Sequence, residues 1–284
     1  MGTEAGAKSA PTAGDGMGSL PVGWTIETVS DQARLKEIED LQIRVWGMDA
    51  LEVVPAAMLY LARASGGIVL GAYDRGNLVG FVLGLLGCRE GRLYHASHML
   101  GIDPEYQGHG LGEALKRRQR GVALSQGLDL MTWTFDPLES RNARLNIHKL
   151  GAASTTYVEN LYGDMDDQLN RGLPSDRLLV EWDLRRAPPA IAPAVRAAAI
   201  PLLLVEHGRP VAPPREPLSG CPLLLPVPPD MRALRHADPG ASLAWRMAQR
   251  QALQWAFARG YVVRDFEDGA YVLLKEPSSY ELQV

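Results

Sequence analysis

The sequence predicts an α/β (α+β) fold in which helices flank a sheet, with a smaller αβ segment towards the C-terminal end. Three observations carry that prediction. Apolar residues recur at helical spacing in Leu35, Ile38, Leu41 and Val45, then give way to short continuous runs at Ile68–Tyr73 and Leu78–Leu86. That is a change from a 3.6-residue period to a strand pattern. Asp74-Arg75-Gly76-Asn77 between the two runs is turn chemistry, so the pair reads as a hairpin. Twelve of the 20 prolines lie between Pro188 and Pro229, a density that no long helix survives, and apolar periodicity returns beyond it.

Each element follows in order. Order begins near Gly23-Trp24. Ser30 is a cap for a helix over Asp31–Trp46, and Pro55 suits the first turn of a second helix that Gly66-Gly67 ends near Ala64. After the hairpin, Arg92–Ile102 reads as a third strand closed by Asp103-Pro104. A glycine-rich stretch, Gln107–Gly112, opens a helix to about Gln126; Leu128–Phe135 is a strand, and a helix over Ser140–Leu150 stops at Gly151. Thr155–Leu161 and Arg177–Leu184 read as strands around a polar loop, Gly163–Asp176. Past the prolines come a strand at Leu223–Leu225, a helix over Ser242–Arg259, and a hairpin of Tyr261–Phe266 with Ala270–Leu274. The expected organisation is a disordered tail over 1–22, a main domain over 23–186, a Pro-rich linker over 187–221 and a C-terminal segment over 222–284.

Composition narrows the function. Of 284 residues, 46% are apolar and 22% charged, enough to bury a core and too apolar for wholesale disorder. The net charge is 29 − 33 = −4, without the basic footprint of a nucleic-acid binder. Cys88 and Cys221 form no CxxC pair, which argues against a disulfide scaffold or a cysteine zinc site and fits a reducing compartment. The apolar runs fall short of the ~20 residues of a spanning helix. The expected location is therefore cytoplasmic, with no membrane or nucleic-acid partner.

The glycine-rich turn is the most informative element. Asp103-Pro104-Glu105-Tyr106 leads from a strand into Gln107-x-x-Gly110-x-Gly112 and then a helix. A helix start leaves N–H groups unpaired and carries positive partial charge, and glycines let an anion approach the main chain. The ligand this predicts is a phosphate or pyrophosphate; a turn with no ligand is the bland alternative. There is no Gly-Lys-Ser/Thr P-loop and no G-x-G-x-x-G spacing.

Met99–Gly112 (MLGIDPEYQGHGLG) resembles the acyl-CoA-binding motif of the GNAT superfamily of N-acyltransferases, and Asn142–Ala152 (NARLNIHKLGA) resembles its second signature. The likeness covers about Trp24–Leu184 and extends to a poorly characterised subgroup through Ser97–Gly101, Trp133–Leu138 and Pro174–Arg177. It implies a mixed, mostly antiparallel sheet. It also implies acyl transfer, acetyl by default or succinyl, from acetyl-CoA or another acyl-CoA to a primary amine of a small molecule such as an amino acid, without a metal. By resemblance, the backbone of Leu100 and Ile102 pairs with pantetheine. The amides of Gln107, Gly108, His109, Gly110, Leu111 and Gly112 cradle the pyrophosphate, and Asn142 reaches the pantetheine arm. Transfer is expected to be direct, since neither cysteine lies in a motif.

His98 is the candidate base, because it lies on the strand that carries the acyl end and its ordinary pKa of ~6.5 suits proton transfer near neutrality; the alternative is a hydrogen-bonded strand histidine. In a regular strand, His95 points to the other face, so a His95/His98 metal pair requires a bulge. Asp136 either holds a substrate ammonium or caps a turn before Pro137. Arg177 either binds a substrate carboxylate or forms an ordinary ion pair. Lys116, Arg117, Arg118 and Arg120 read as a solvated face or as contacts to a 3′-phosphate. The tyrosine that many members place four residues before the second-motif glycine is Ile147 here, which leaves the acid unassigned and keeps a second reading open, a non-catalytic acyl-CoA-binding or sensing module. The C-terminal segment reads either as a degenerate half-repeat, packed on the main domain or forming a homodimer surface, or as an unrelated extension.

Overall fold

The computed structural model describes residues 20–49, 51–163, 172–188, 190–213 and 220–276. Most of the expected tail, and parts of the 163–176 loop and of the linker, lie outside the described residues. The elements are β1 (Trp24–Thr28), α1 (Gln32–Trp46), α2 (Ala56–Ala64), β2 (Ile68–Asp74), β3 (Asn77–Arg89), β4 (Arg92–Ile102), α3 (Leu111–Ser125), β5 (Leu130–Phe135), α4 (Ser140–Ala143, continuing as a π-helical turn over Arg144–Lys149), β6 (Ala153–Val158) and β7 (Arg177–Asp183). Then follow α5 (Pro193–Ala197), β8 (Ile200–Pro201), β9 (Leu204–Glu206), β10 (Arg209–Val211), β11 (Leu223–Pro226), α6 (Met231–Ala237), α7 (Pro239–Phe257), β12 (Tyr261–Glu267) and β13 (Ala270–Lys275).

Eleven strands form one sheet in the order β1-β2-β3-β4-β5-β7-β6-β12-β13-β11-β8, antiparallel except for β4–β5 and β11–β8. The mixed, mostly antiparallel architecture is therefore as expected, and among the described residues no helix is long and apolar enough to cross a membrane. Period-2 alternation divides the strand residues between two faces. On one face, Leu35, Ile38 and Leu41 of α1 and Leu59 and Ala62 of α2 pack on Val69, Tyr73, Phe81 and Leu83. On the other, Leu111 and Leu115 of α3, Ile147 of α4 and Leu253 of α7 join Leu70, Val82, Leu178, Val180, Trp182 and Val263 in one core that spans both halves of the sheet.

The half beyond β6 repeats a topology. In the first half, β5, α4, β6 and β7 follow in sequence and β7 inserts between β5 and β6. In the second, β11, α6 and α7, β12 and β13 follow, and β13 inserts between β11 and β12. Each half begins beside a parallel strand, β4 on β5 and β8 on β11. Where the glycine-rich turn and α3 follow β4, the element that follows β8 among the described residues is the β9–β10 hairpin.

Local differences from expectation have local causes. Asp31, not Ser30, caps α1, accepting from the Arg34 amide; either residue type suits an N-cap, and the side chain one residue nearer reaches that N–H. The helix after β5 turns π-helical, with Leu150 N–H donating to Leu145 C=O and Ala152 N–H to Asn146 C=O. Edge strand β1 and helices α5 and α6 are additional.

Candidate active site

β4 and β5 pair in parallel only at His95↔Met131 and Ala96↔Thr132. Beyond that, Ser97–Ile102 keep β3 on one side and Trp133–Phe135 keep β7 on the other, so a notch opens between two main chains. At its mouth β4 is irregular: Gly84 pairs with Ser97 and Leu83 with Met99, so His98 is a bulge residue without a partner across the ladder. Bulges aim side chains away from the alternating pattern, and His98 is exposed. Its pKa lies below 6.5 because the surrounding atoms desolvate the ring. Leu100 and Ile102, half-buried, follow along the notch edge.

At the top of β4, Asp103 accepts from the Glu105 amide and turns the chain through Pro104–Tyr106. Gly108 and Gly110 then take φ of +85° and +81°, and Gly110 starts α3 without a side-chain cap. The first hydrogen bond of α3 is Ala114 N–H to Gly110 C=O. The amides of Gly108–Glu113 thus have no acceptor among the described residues, and Gln107–Gly110 are exposed. A Cβ built at Gly108 or Gly110 would meet nothing within 4 Å. Unpaired amides, helix-dipole charge and open space together form a seat for an anion. The Gln107 side chain is turned back to donate to Ile102 C=O, and His109 Nδ1 lies 3.4 Å from Tyr106 O. Asn142 is exposed on α4.

Two candidate substrate contacts are engaged elsewhere. Both carboxylate oxygens of Asp136 accept from Arg246 of α7, at 2.9 and 2.6 Å. Asp136 also receives the Leu138 amide, so the turn-capping role is present and the carboxylate is closed to a substrate ammonium. Arg177 is buried, donates to Asp176 C=O, lies 3.9 Å from Asp136 and stacks on the Tyr162 ring, so its guanidinium is engaged within the fold, as in the ion-pair alternative. Of the basic residues on α3, Lys116 is buried, Arg117 bonds Glu113 and Lys149 C=O, Arg120 bonds Leu184 C=O, and Arg118 is exposed. Ile147 is buried in the core, and His148 pairs with Asp265 of β12.

Beneath the notch lies a sealed polar cluster that the sequence reading did not find. Lys116 Nζ donates to Ser97 Oγ at 2.9 Å and sits 3.6 Å from the centre of the Trp133 ring, while Ser97 Oγ donates to Gln119 Oε1. Burial holds the Lys116 pKa well below its ordinary value. His95, fully buried, has no hydrogen-bond partner on either nitrogen among the described residues. Gly84 is required opposite it, since a Cβ there would come within 2.2 Å of Nε2. Burial, reinforced by Lys116, lowers the His95 pKa to about 3. His95 is thus neutral when folded and titrates near ~6.5 when unfolded. The unfolded chain binds the extra proton below pH 6.5, so this stability is present above that pH and is lost as pH falls towards 3. Urea unfolding should show wild type losing about 3 kcal/mol more than His95→Gln between pH 7 and 4.5; equal losses would remove His95 as the acid-sensitive element. Although β4 is bulged at His98, His95 is sealed and His98 is open. Among the described residues no group of three or more His, Cys, Asp or Glu side chains is placed to hold a metal.

A split parallel pair leads into a glycine-rich helix start whose unpaired amides can receive an anion. Residues 34–152 match the model of the acetyltransferase (GNAT) family. Residues 34–152 thus correspond to a GNAT-family acetyltransferase domain. Solved structures that the chain is similar to include the ribosomal-protein-S18-alanine N-acetyltransferase of Escherichia coli, 15% identical with a TM-score of 0.47, the match covering 60% of this chain and 99% of that one. Naa50 of Arabidopsis thaliana, solved with a bisubstrate analogue, is 18% identical with a TM-score of 0.46 over 56% and 98%. A GNAT acetyltransferase of Streptococcus pneumoniae is 18% identical with a TM-score of 0.46 over 56% and 97%. No curated protein matches the sequence.

Proposed function

We propose that the chain transfers an acyl group, acetyl by default, from acyl-CoA to the primary amine of a small molecule, directly and in a ternary complex. The observation that carries this reading is the run of unpaired amides at Gly108–Glu113, at the top of the β4–β5 notch. These amides face the pyrophosphate, whereas the Gln107 amide already donates to Pro104 C=O and is not among them; the open edge of Leu100–Ile102 pairs with the pantetheine amides, and exposed Asn142 meets the arm from α4. Coenzyme A supplies an activated thioester. A β4 N–H beside it stabilises charge developing on the acyl oxygen. A β-bulge puts His98 at the mouth of the notch, where the amine arrives, and its lowered pKa keeps it unprotonated near neutrality. Thiols ionise near ~8.5, so a thiolate departs without the tyrosine that Ile147 replaces.

Calorimetric titration with coenzyme A and a CoA-release assay with acetyl-CoA, succinyl-CoA and a panel of amines test the proposal. Absence of binding overturns it, and tight binding without turnover favours the non-catalytic reading. His98→Ala should lower kcat/KM at neutral pH by ~10²–10⁴. The acidic limb of the wild-type profile should lie below pH 6.5, the ordinary histidine value, and should vanish in the variant. An unaltered profile would exclude His98 as the base.

A further inference from the structure

The face of the sheet opposite α3 is roofed by α1 and α2 over β2–β4. Further along the same face, β5, β7, β6 and β12 floor a groove of about 360 Å³. Leu178, Val180 and Trp182 of β7 point into the core on the α3 side, so Leu179, Glu181 and Asp183 line the groove. Register places Glu181 beside the notch. Leu85, Ala96, Thr132, Glu181 and Ala153 form one row across five strands, and β4 and β5 part immediately beyond Ala96 and Thr132. Glu181 is one strand away from the split, about 5 Å of lateral spacing.

We propose, resting on the acyl-transfer reading above, that this groove is the acceptor site, that Glu181 anchors the ammonium of the incoming amine, and that the amine's body is uncharged. The groove's other charges are already matched. Arg92 pairs with Asp129 at 2.9 Å, Arg186 with Asp183 at 3.5 Å, and Arg264 with Glu276. Glu181 has Arg89 at 3.8 Å and no hydrogen bond among the described residues, with its side chain 14% exposed. Burial raises its pKa against the opposing pull of Arg89 and Arg92, the signature of a carboxylate short of donors. An ammonium supplies three donors. Of the uncharged walls, Leu130, Ala153, Leu179, Pro188 and Val262 are apolar and Ser154, Thr155 and Thr156 carry neutral hydroxyls; none offers an amino acid's carboxylate an unmatched cation. A monocationic amine such as phenethylamine fits this chemistry better than zwitterionic phenylalanine.

Phenethylamine and phenylalanine serve as probes, with full-length protein and acetyl-CoA. Calorimetry should detect phenethylamine binding that Glu181→Gln weakens at least 10-fold and that the groove-filling Ala153→Leu abolishes, with coenzyme A binding unchanged in both. In turnover, Glu181→Gln should raise the amine KM at least 10-fold, and wild type should prefer phenethylamine over phenylalanine at least 10-fold in kcat/KM. Intact coenzyme A binding with an unaltered amine affinity in both variants, no amine binding to wild type, or a preference for phenylalanine overturns the assignment of the groove and leaves the acyl-transfer reading standing. Loss of coenzyme A binding in wild type removes both.

Discussion

Replacing Arg246 with Ala should lower the unfolding free energy by about 3–5 kcal/mol, the usual cost of stripping one partner from a buried ion pair. Arg246 is 2% exposed and spans both oxygens of Asp136. Burial works against the cation, but the Asp136 carboxylate outweighs it and raises the guanidinium pKa. Without Arg246, the Asp136 carboxylate is left with Arg177 at 3.9 Å and the Leu138 amide. The pair also joins the two halves of the sheet, since Asp136 follows β5 and Arg246 belongs to α7; Arg250 makes a parallel tie to Asp176, at 2.8 and 2.7 Å. In urea melts, Asp136→Asn and Arg246→Met singly should each destabilise strongly, and the double variant should lose clearly less than their sum. Additive losses would show that the pair is not the tie. The same variants separate structure from substrate binding: at temperatures where Asp136→Asn stays folded, its amine KM should equal that of wild type.

That pair also shows where reading the sequence stops. Its partners stand 110 residues apart, and nothing local to Asp136 announces an arginine from a later helix. Features set by near neighbours were legible: the Asp74–Asn77 turn, the third strand at Arg92–Ile102, and the glycine turn, each specified by residues within a few positions. Features set by the order of strands were not. Glu181 was visible as the outward member of an alternating strand, but its nearness to the notch follows from β7 lying beside β5, a pairing across 50 residues of chain. Lys116 sat in the charged run Lys116-Arg117-Arg118-Gln119-Arg120, where polarity alone suggested solvent. The helical stripe Leu111, Leu115, Gln119, Ala123 turns that side of α3 inward and takes its neighbour Lys116 with it. The His98 bulge shifts parity, so Ser97 and Leu100, three residues apart, serve the α3 face together. No alternation rule gives that without the β3 register.

The glycine turn should yield the largest functional effect. Gly110→Val should weaken coenzyme A binding at least 100-fold, equivalent to about 3 kcal/mol at ~1.4 kcal/mol per tenfold change. Two contributions combine. A β-branched residue resists the φ of +81° at Gly110, at a cost of ~1–3 kcal/mol for such strained backbone. Its side chain also enters the open space before the amides of Leu111, Gly112 and Glu113, where the anion would sit. Gly91, in the β3–β4 turn, separates the two: its φ is +79° and a Cβ there also meets nothing within 4 Å, but no helix start follows it. Gly91→Val should therefore lower the melting temperature about as much as Gly110→Val and leave coenzyme A affinity unchanged. Inorganic pyrophosphate, which has no pantetheine to lie in the notch, should bind wild type weakly and be lost in Gly110→Val alone. If Gly91→Val also weakens coenzyme A, global strain explains both variants and the amide seat is not the determinant. If Gly110→Val binds as wild type does, the anion sits elsewhere and the orientation of the thioester along β4 has no anchor.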